Sequence, residues 1–404
     1  MAGESASPTR LESFVRLPFL PYRKSAMLDS MRLVALLLAA ACAASAQSSG
    51  PEQLFRDAVA AQQRGEDALA IRKYQELLKL YPGAVEARAN LGAALARQGR
   101  FDEAIEQYRA ALAKNETNPA LRLNLALAYF KKGAFAEAVE QLDRLRRSEP
   151  GDVRVGTLLG ECYTRLGRYA DVVAVLAPVE KAHPDDLAVA WLLGSALIRA
   201  GHKREGLELV ERVAKHGNSA EAYLLAGQTA MQLNEFERAR DSANAAIRLN
   251  PALPGALTLR GMVLPFLGDN AGAIAALNQA LEADANDFDA HVTLGAVLRS
   301  ERDLDGARRH LQRALEMDPA STRARYEWAR LERAEGETEA AVKDFEKVVH
   351  DEPGWAQPHV ELAALYFQMN RQADGERERA VFDRLNADQQ SQEHAVLPAA
   401  PPAH

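Results

Sequence analysis

The groups in this sequence that can move protons, attack carbonyls or hold a metal are nine histidines, two cysteines and 56 aspartates and glutamates. Their spacing does not assemble them. His183, His202 and His216 stand far apart in the chain, whereas metal ligands on one helix face need separations of three or four residues, or tight paired loops. Cys162 lies between Glu161 and Tyr163 with no base beside it, which suits a small buried hydrophobe rather than a nucleophile. The sequence contains no Gly-rich phosphate loop with its Lys, no G-x-S-x-G elbow and no H-E-x-x-H. Runs such as Glu376 to Arg379 alternate in sign, the pattern of a solvated helix face. The expectation is therefore a protein that is not an enzyme, with no cofactor and no metal site.

The elements that position these residues repeat. Units of 34 residues begin at Pro51, Val85, Pro119, Val153, Leu187, Ala220, Pro254, Phe288, Thr322 and Ala356, and only the fifth is one residue short. The eighth position of every unit is Gly or Ala, from Ala58 and Gly92 to Ala363, and the twentieth is small everywhere except at Val172. Small residues at two fixed points predict a close helix crossing. Position 15 is Gly or Asn in every unit but one, where Arg302 stands; Gly and Asn tolerate the left-handed conformation that ends a helix. Six units carry Pro at position 32, namely Pro82, Pro150, Pro184, Pro251, Pro319 and Pro353, where it closes a second helix. Apolar residues at positions 4, 7, 8 and 11, then 20, 24 and 27, complete an amphipathic helical hairpin whose face is buried only by stacking on its neighbours. Asp57, Arg260 and Glu332 occupy positions that are apolar elsewhere, so irregular or shifted units are expected there, and Pro265 should kink or shorten its helix.

Composition agrees. Only 6% of the 404 residues are aromatic, too few to anchor one thick core, while Ala and Leu favour helix. A formal charge of -7 argues against a nucleic-acid partner.

Unit two, from Leu91 to Leu112, with Gly92, Gly99, Phe101, Ala104 and Tyr108 in place, resembles the tetratricopeptide repeat, and the resemblance extends over residues 51–389. It implies an all-α solenoid, a right-handed superhelix of about ten antiparallel helical hairpins, that binds a protein or peptide in a concave groove. Positions 5, 9 and 12 share a second face of the first helix, which in the family lines that groove. On this resemblance the groove contains Leu123, Leu127, Phe130, Trp191, Ile198, Leu224, Met231 and Met262, then a basic stretch of Arg299, Arg323, Arg330 and Arg333 with Tyr326. The alternatives are packing of the apolar residues between neighbouring first helices and a solvated surface network for the arginines. Asn90 and Asn124, at position six of units two and three, are similar to the asparagine ladder in the repeat region of the O-linked N-acetylglucosamine transferase.

Residues 31–46 have the layout of a secretory signal peptide: Arg32, an apolar run from Leu33, and Ala44-Ser45-Ala46 at the end. Fourteen helical residues from Leu33 to Ala46 span about 21 Å against roughly 30 Å of hydrocarbon, so cleavage is expected rather than retention as an anchor. Residues 1–30 read as an over-extended start, with translation from Met31 or Met27. Cys42 follows small residues in a manner similar to a lipoprotein acylation site, although Ala39 stands where Leu is preferred; lipidation there, or an uncleaved signal, would make the protein membrane-bound. Residues 390–404 read as a disordered tail. The expected protein is exported, periplasmic or secreted, and binds a protein or peptide. The alternative is a substrate-recruiting or adaptor subunit of a separately encoded enzyme, such as an O-linked glycosyltransferase or a protease.

Overall fold

The fold is that of a computed structural model, which describes residues 50–148 and 151–396. The signal-like segment 31–46, the start at 1–30, Cys42, Pro150 and residues 397–404 lie outside the described residues. Every described regular element is helical.

The chain divides into two compact units, one ending at Arg212 and one beginning at Val213. Helices α1 Pro51–Gln63, α2 Asp67–Leu80, α3 Val85–Arg97, α4 Phe101–Leu112, α5 Pro119–Lys132 and α6 Phe135–Ser148 form the first three hairpins. Helices α7 Val153–Arg165, α8 Tyr169–Ala182, α9 Leu187–Arg199 and α10 Lys203–Gly217 form the next two. Then come α11 Ala220–Gln232, α12 Phe236–Leu249, α13 Ala256–Val263, α14 Asn270–Ala283, α15 Phe288–Ser300 and α16 Leu304–Met317. The last two hairpins are α17 Thr322–Glu335, α18 Thr338–Asp351, α19 Ala356–Gln368 and α20 Gln372–Val396.

The small residue at position 8 makes room for one particular side chain. A Cβ added at Gly92 would lie 2.8 Å from Tyr108, at Gly160 2.8 Å from Leu176, at Gly261 2.4 Å from Leu277 and at Gly295 2.5 Å from Leu311. All four partners occupy position 24, and all are fully buried. Backbone proper comes closest at Gly206, where a Cβ would lie 2.7 Å from the Gly194 carbonyl oxygen. The requirement at position 8 is thus chiefly a hole for a knob from the second helix, with close backbone approach concentrated in the fifth hairpin.

Position 12 covers the other small site. A Cβ at Gly206 would meet Ile198 at 2.7 Å, and one at Gly375 would meet Phe367 at 2.5 Å. Phe130 likewise turns toward its own second helix, edge-on to Phe135 with centroids 5.5 Å apart.

Every hairpin turns through a left-handed residue. Position 15 has positive φ throughout, including Asn234, Asn370 and Arg302 at φ +70°. A non-Gly side chain in that region costs about 1–2 kcal/mol, so the one position that breaks the sequence pattern keeps its geometry under strain. Side chains of Asn118, Asp152, Asp186, Ser219, Asp287 and Ser321 accept hydrogen bonds from the first turns of the helices that follow them.

Departures from the sequence expectation are few. Asp57 and Glu332 sit in regular hairpins, so those units are neither irregular nor shifted. Asp57 accepts from Gln53 and Lys73 at the surface, while Glu332 is accommodated in the interior. The seventh hairpin is the altered one. Its first helix starts late, at Ala256, behind the left-handed Gly255, and Pro265 ends it by converting Leu264–Leu267 into a 3-10 turn. Helix α20 runs on to Val396, past the boundary at 390 where the sequence suggested a tail.

The knob-and-hole contact is directly testable. Gly261→Ala should lower unfolding stability by about 1–3 kcal/mol, and adding Leu277→Ala should give a double variant more stable than the sum of the two single losses. Urea denaturation of the four proteins measures the coupling; strictly additive losses would refute it.

Candidate functional site

Part of the face assigned to a groove is interior. Leu123, Leu127 and Phe130 are buried in the core of the N-terminal unit, the arrangement in which first helices pack on one another. Asn90 and Asn124 are buried too, and Asn90 serves the Tyr74 hydroxyl of the preceding hairpin. A backbone-holding ladder needs exposed amides, so that expectation is corrected: both asparagines are interior, and Asn90 is engaged by the preceding hairpin. Tyr326 is also buried, tilted against Trp355 at 4.6 Å and edge-on to Phe345 at 5.8 Å. Trp191 and Ile198 in the N-terminal unit, and Leu224, Met231 and Met262 in the C-terminal unit, remain half-buried. Trp191 packs along the core edge.

The basic residues are brought together, and with glutamates. Arg299 Nη2 lies 3.1 Å from Glu327 Oε2, Arg330 Nη1 lies 3.5 Å from Glu327 Oε1, and Arg330 Nε lies 3.6 Å from Glu361 Oε1. Arg333 also pairs with Glu361. Position 12 of one repeat therefore reaches position 6 of the next. Arg323 stands apart from this group, paired with Asp289 and donating to Thr293. Sequence reasoning missed Arg302, which lines the same recess as Arg299, Arg330 and Arg333. Its signal was visible as the one bulky residue where Gly or Asn recurs.

A second set was missed because position 4 was read as apolar. Arg88, Arg122, His291, Arg325 and His359 occupy it in five repeats. Arg88 Nη2 donates to the Pro82 carbonyl at 2.8 Å and Arg88 Nη1 to Gln107 at 3.0 Å. Arg325 donates to the Pro319 carbonyl at 2.9 Å and to Asp344 at 2.8 Å. Arg122 reaches Glu116 and Gln141, His291 reaches Ala285 and His310, and His359 reaches Pro353 and Glu378, always a carbonyl at position 32 and a side chain at position 23. The side chain clips the link between two repeats to the second helix of its own. The residue pair at a separation of 19, repeating every 34, was legible in the sequence.

The tetratricopeptide repeat profiles match residues 95–162 in one form and 55–119, 191–254, 259–322 and 293–355 in another, more than half of the chain. The chain belongs to the tetratricopeptide repeat family. No curated protein matches the sequence. Among solved structures it is similar to the MamA protein, at 23% identity over 41% of this chain and 91% of that one with a TM-score of 0.38. It is similar to a tetratricopeptide repeat protein from Parabacteroides merdae at 16% identity, covering 61% and 98%, with a TM-score of 0.43. Against the Cut9-Hcn1 hetero-tetramer of APC/C the identity is 13%, the coverage 84% and 88%, and the TM-score 0.49. As a tetratricopeptide repeat protein it is a protein-interaction scaffold, of a family generally without catalysis.

The buried titratable groups of this tetratricopeptide array are packing groups. Burial and the neighbouring Glu161 push the Cys162 thiol up to about 12, which leaves it unreactive at neutral pH. Burial, with His291 and Arg309 nearby, holds His310 below the usual histidine range. Glu332 is buried at 7% exposure. Trp328 Nε1 donates to one of its oxygens at 2.9 Å, and the other oxygen has no donor. Desolvation, with the Asp344 carboxylate beside it, raises Glu332 to about 7.

A raised carboxyl binds its proton more tightly folded than unfolded, so its stabilising effect is full below about 4.5 and is lost as pH rises through about 7. Glu332→Gln keeps the acceptor for Trp328 and removes the charge. It should be more stable than the parent by about 2 kcal/mol at pH 8, with the gap closing by pH 4. Denaturant titrations at the two pH values check this, and a pH-independent gap would refute it.

Proposed function

We propose that the protein is an exported scaffold of the bacterial cell envelope that holds a protein or peptide partner on the first-helix face of its repeats and performs no chemistry itself. The observation that carries the reading is that the described helices through α20 form hairpins of one interaction-repeat type, leaving those residues as surface for binding. Export is supported by the basic, apolar and small-residue order of residues 31–46. With the apolar residues of repeat three buried, the contact surface is narrower than the sequence suggested. Each unit has its own: Trp191 in the N-terminal unit, and separately, in the C-terminal unit, Leu224, Met231 and Met262 together with the arginine recess. Half-buried Met and Trp side chains suit such contacts because they offer large, adaptable apolar area.

The test joins location and partner. Fractionation of the native host should place the protein outside the cytoplasm with a start near residue 47. Cross-linking of the purified full chain in an envelope extract should capture a partner whose yield falls about tenfold for the Trp191→Ser, Met231→Ser, Met262→Ser variant. A full-length chain confined to the cytosol would overturn export, and an undiminished yield from the folded variant would overturn the surface.

A further inference from the structure

We propose that the recess lined by Arg299, Arg302, Arg330 and Arg333 is an oxyanion site that takes a phosphate monoester dianion. The proposal deepens the scaffold reading by assigning chemistry to one patch of its surface, but its direct test needs no protein partner.

Three observations carry it. The first is charge. Three guanidiniums, those of Arg299, Arg330 and Arg333, engage the two carboxylates Glu327 and Glu361, each of which bridges two of them, and Arg302 lines the same recess as a fourth. Glu361 itself lines the recess. Two positive charges are left over at neutral pH. One dianion balances them, whereas a single carboxylate leaves one unmatched; a phosphate monoester carries about -1.5 to -2 near pH 7.

The second is unused donor capacity. The Arg299 side chain is only 14% exposed, and its Nε–H is buried without an acceptor. Arg302 is exposed and forms no ion pair among the described residues. Buried guanidinium donors are ordinarily matched, and a planar fork is the donor geometry that phosphate oxygens use best.

The third is strain. Arg302 holds φ +70° at a turn position that is Gly or Asn in every other repeat. The strained backbone places a cation at the rim of the recess, where Gly or Asn would fit the turn more easily and contribute no charge. The recess measures about 370 Å³, enough for a phosphoryl group and the first atoms of what bears it. Ser300 and Ala334 complete its wall without adding charge.

The experiment is calorimetric titration of the full chain with a phosphoserine peptide, glucose 6-phosphate and succinate at low ionic strength. At least one phosphate ester should bind, about tenfold or more tightly than succinate, and whichever ester binds better identifies the bearer as protein or small molecule. Arg302→Gly should weaken that binding about tenfold while unfolding at higher denaturant than the parent, because it relieves the turn. Arg333→Gln should weaken it too, and Arg313→Gln, outside the recess, should not. Succinate binding as tightly as the esters, no binding of either ester, or undiminished binding by Arg302→Gly would each overturn the proposal. None of these results touches partner capture in the envelope extract, so failure here and failure of the scaffold reading are separable.

Discussion

The structure depends on one contact made again in repeat after repeat: a side chain from the second helix entering the space left by a missing or minimal side chain on the first. Tyr108 over Gly92, Leu176 over Gly160, Leu277 over Gly261 and Leu311 over Gly295 are the same contact with different fillings. Because the hole is set by an absence, it accepts Tyr or Leu, and the local volume is balanced within each hairpin rather than across a shared globular core. That explains how so few aromatics suffice. Where the knob shrinks to Ala243 in the sixth repeat, the helices approach through Gly227 instead, whose added Cβ would lie 3.1 Å from the Ala239 carbonyl oxygen.

The N-terminal unit carries the packing as one apolar cluster running from Leu54 to Leu197. The C-terminal unit contains several smaller apolar clusters, and charged contacts stand beside them. Arg299 and Glu327, Arg333 and Glu361, and Arg323 and Asp289 join successive first helices in place of apolar contacts. In the N-terminal unit the ion pairs between successive repeats run through other positions, Arg97 to Asp67, Lys132 to Asp102 and Arg212 to Glu180, beside a first-helix face that is closed by apolar side chains.

The sequence made the repeat, the hairpin, the turn and the effect of Pro265 legible because each follows from a residue type with a narrow conformational range. The candidate site was read less well. Helical periodicity says which residues share a face but not whether a neighbouring helix covers it, and in repeat three the neighbour does. For Leu123 and Leu127 the groove and packing between first helices therefore both stayed open, and they are interior, as are Asn90 and Asn124, which were assigned to the groove. The arginines were found because like charges at fixed register stand out, and a network with acidic neighbours was the alternative named for them, although Glu327 and Glu361 were not picked out as the partners. Arg302 was treated as a poor fit when its misfit was its information.

The position-4 clip has an implication for how such a chain changes over time. Its donor is a side chain, but its acceptor at position 32 is a backbone carbonyl, supplied alike by Pro82, Glu116, Ala285, Pro319 and Pro353. Any residue provides that oxygen, so a repeat bearing the clip can be duplicated behind a new neighbour, or its neighbour replaced, without a matching mutation on the other side. The joint is indifferent to ancestry, which suits a scaffold that lengthens by copying its parts.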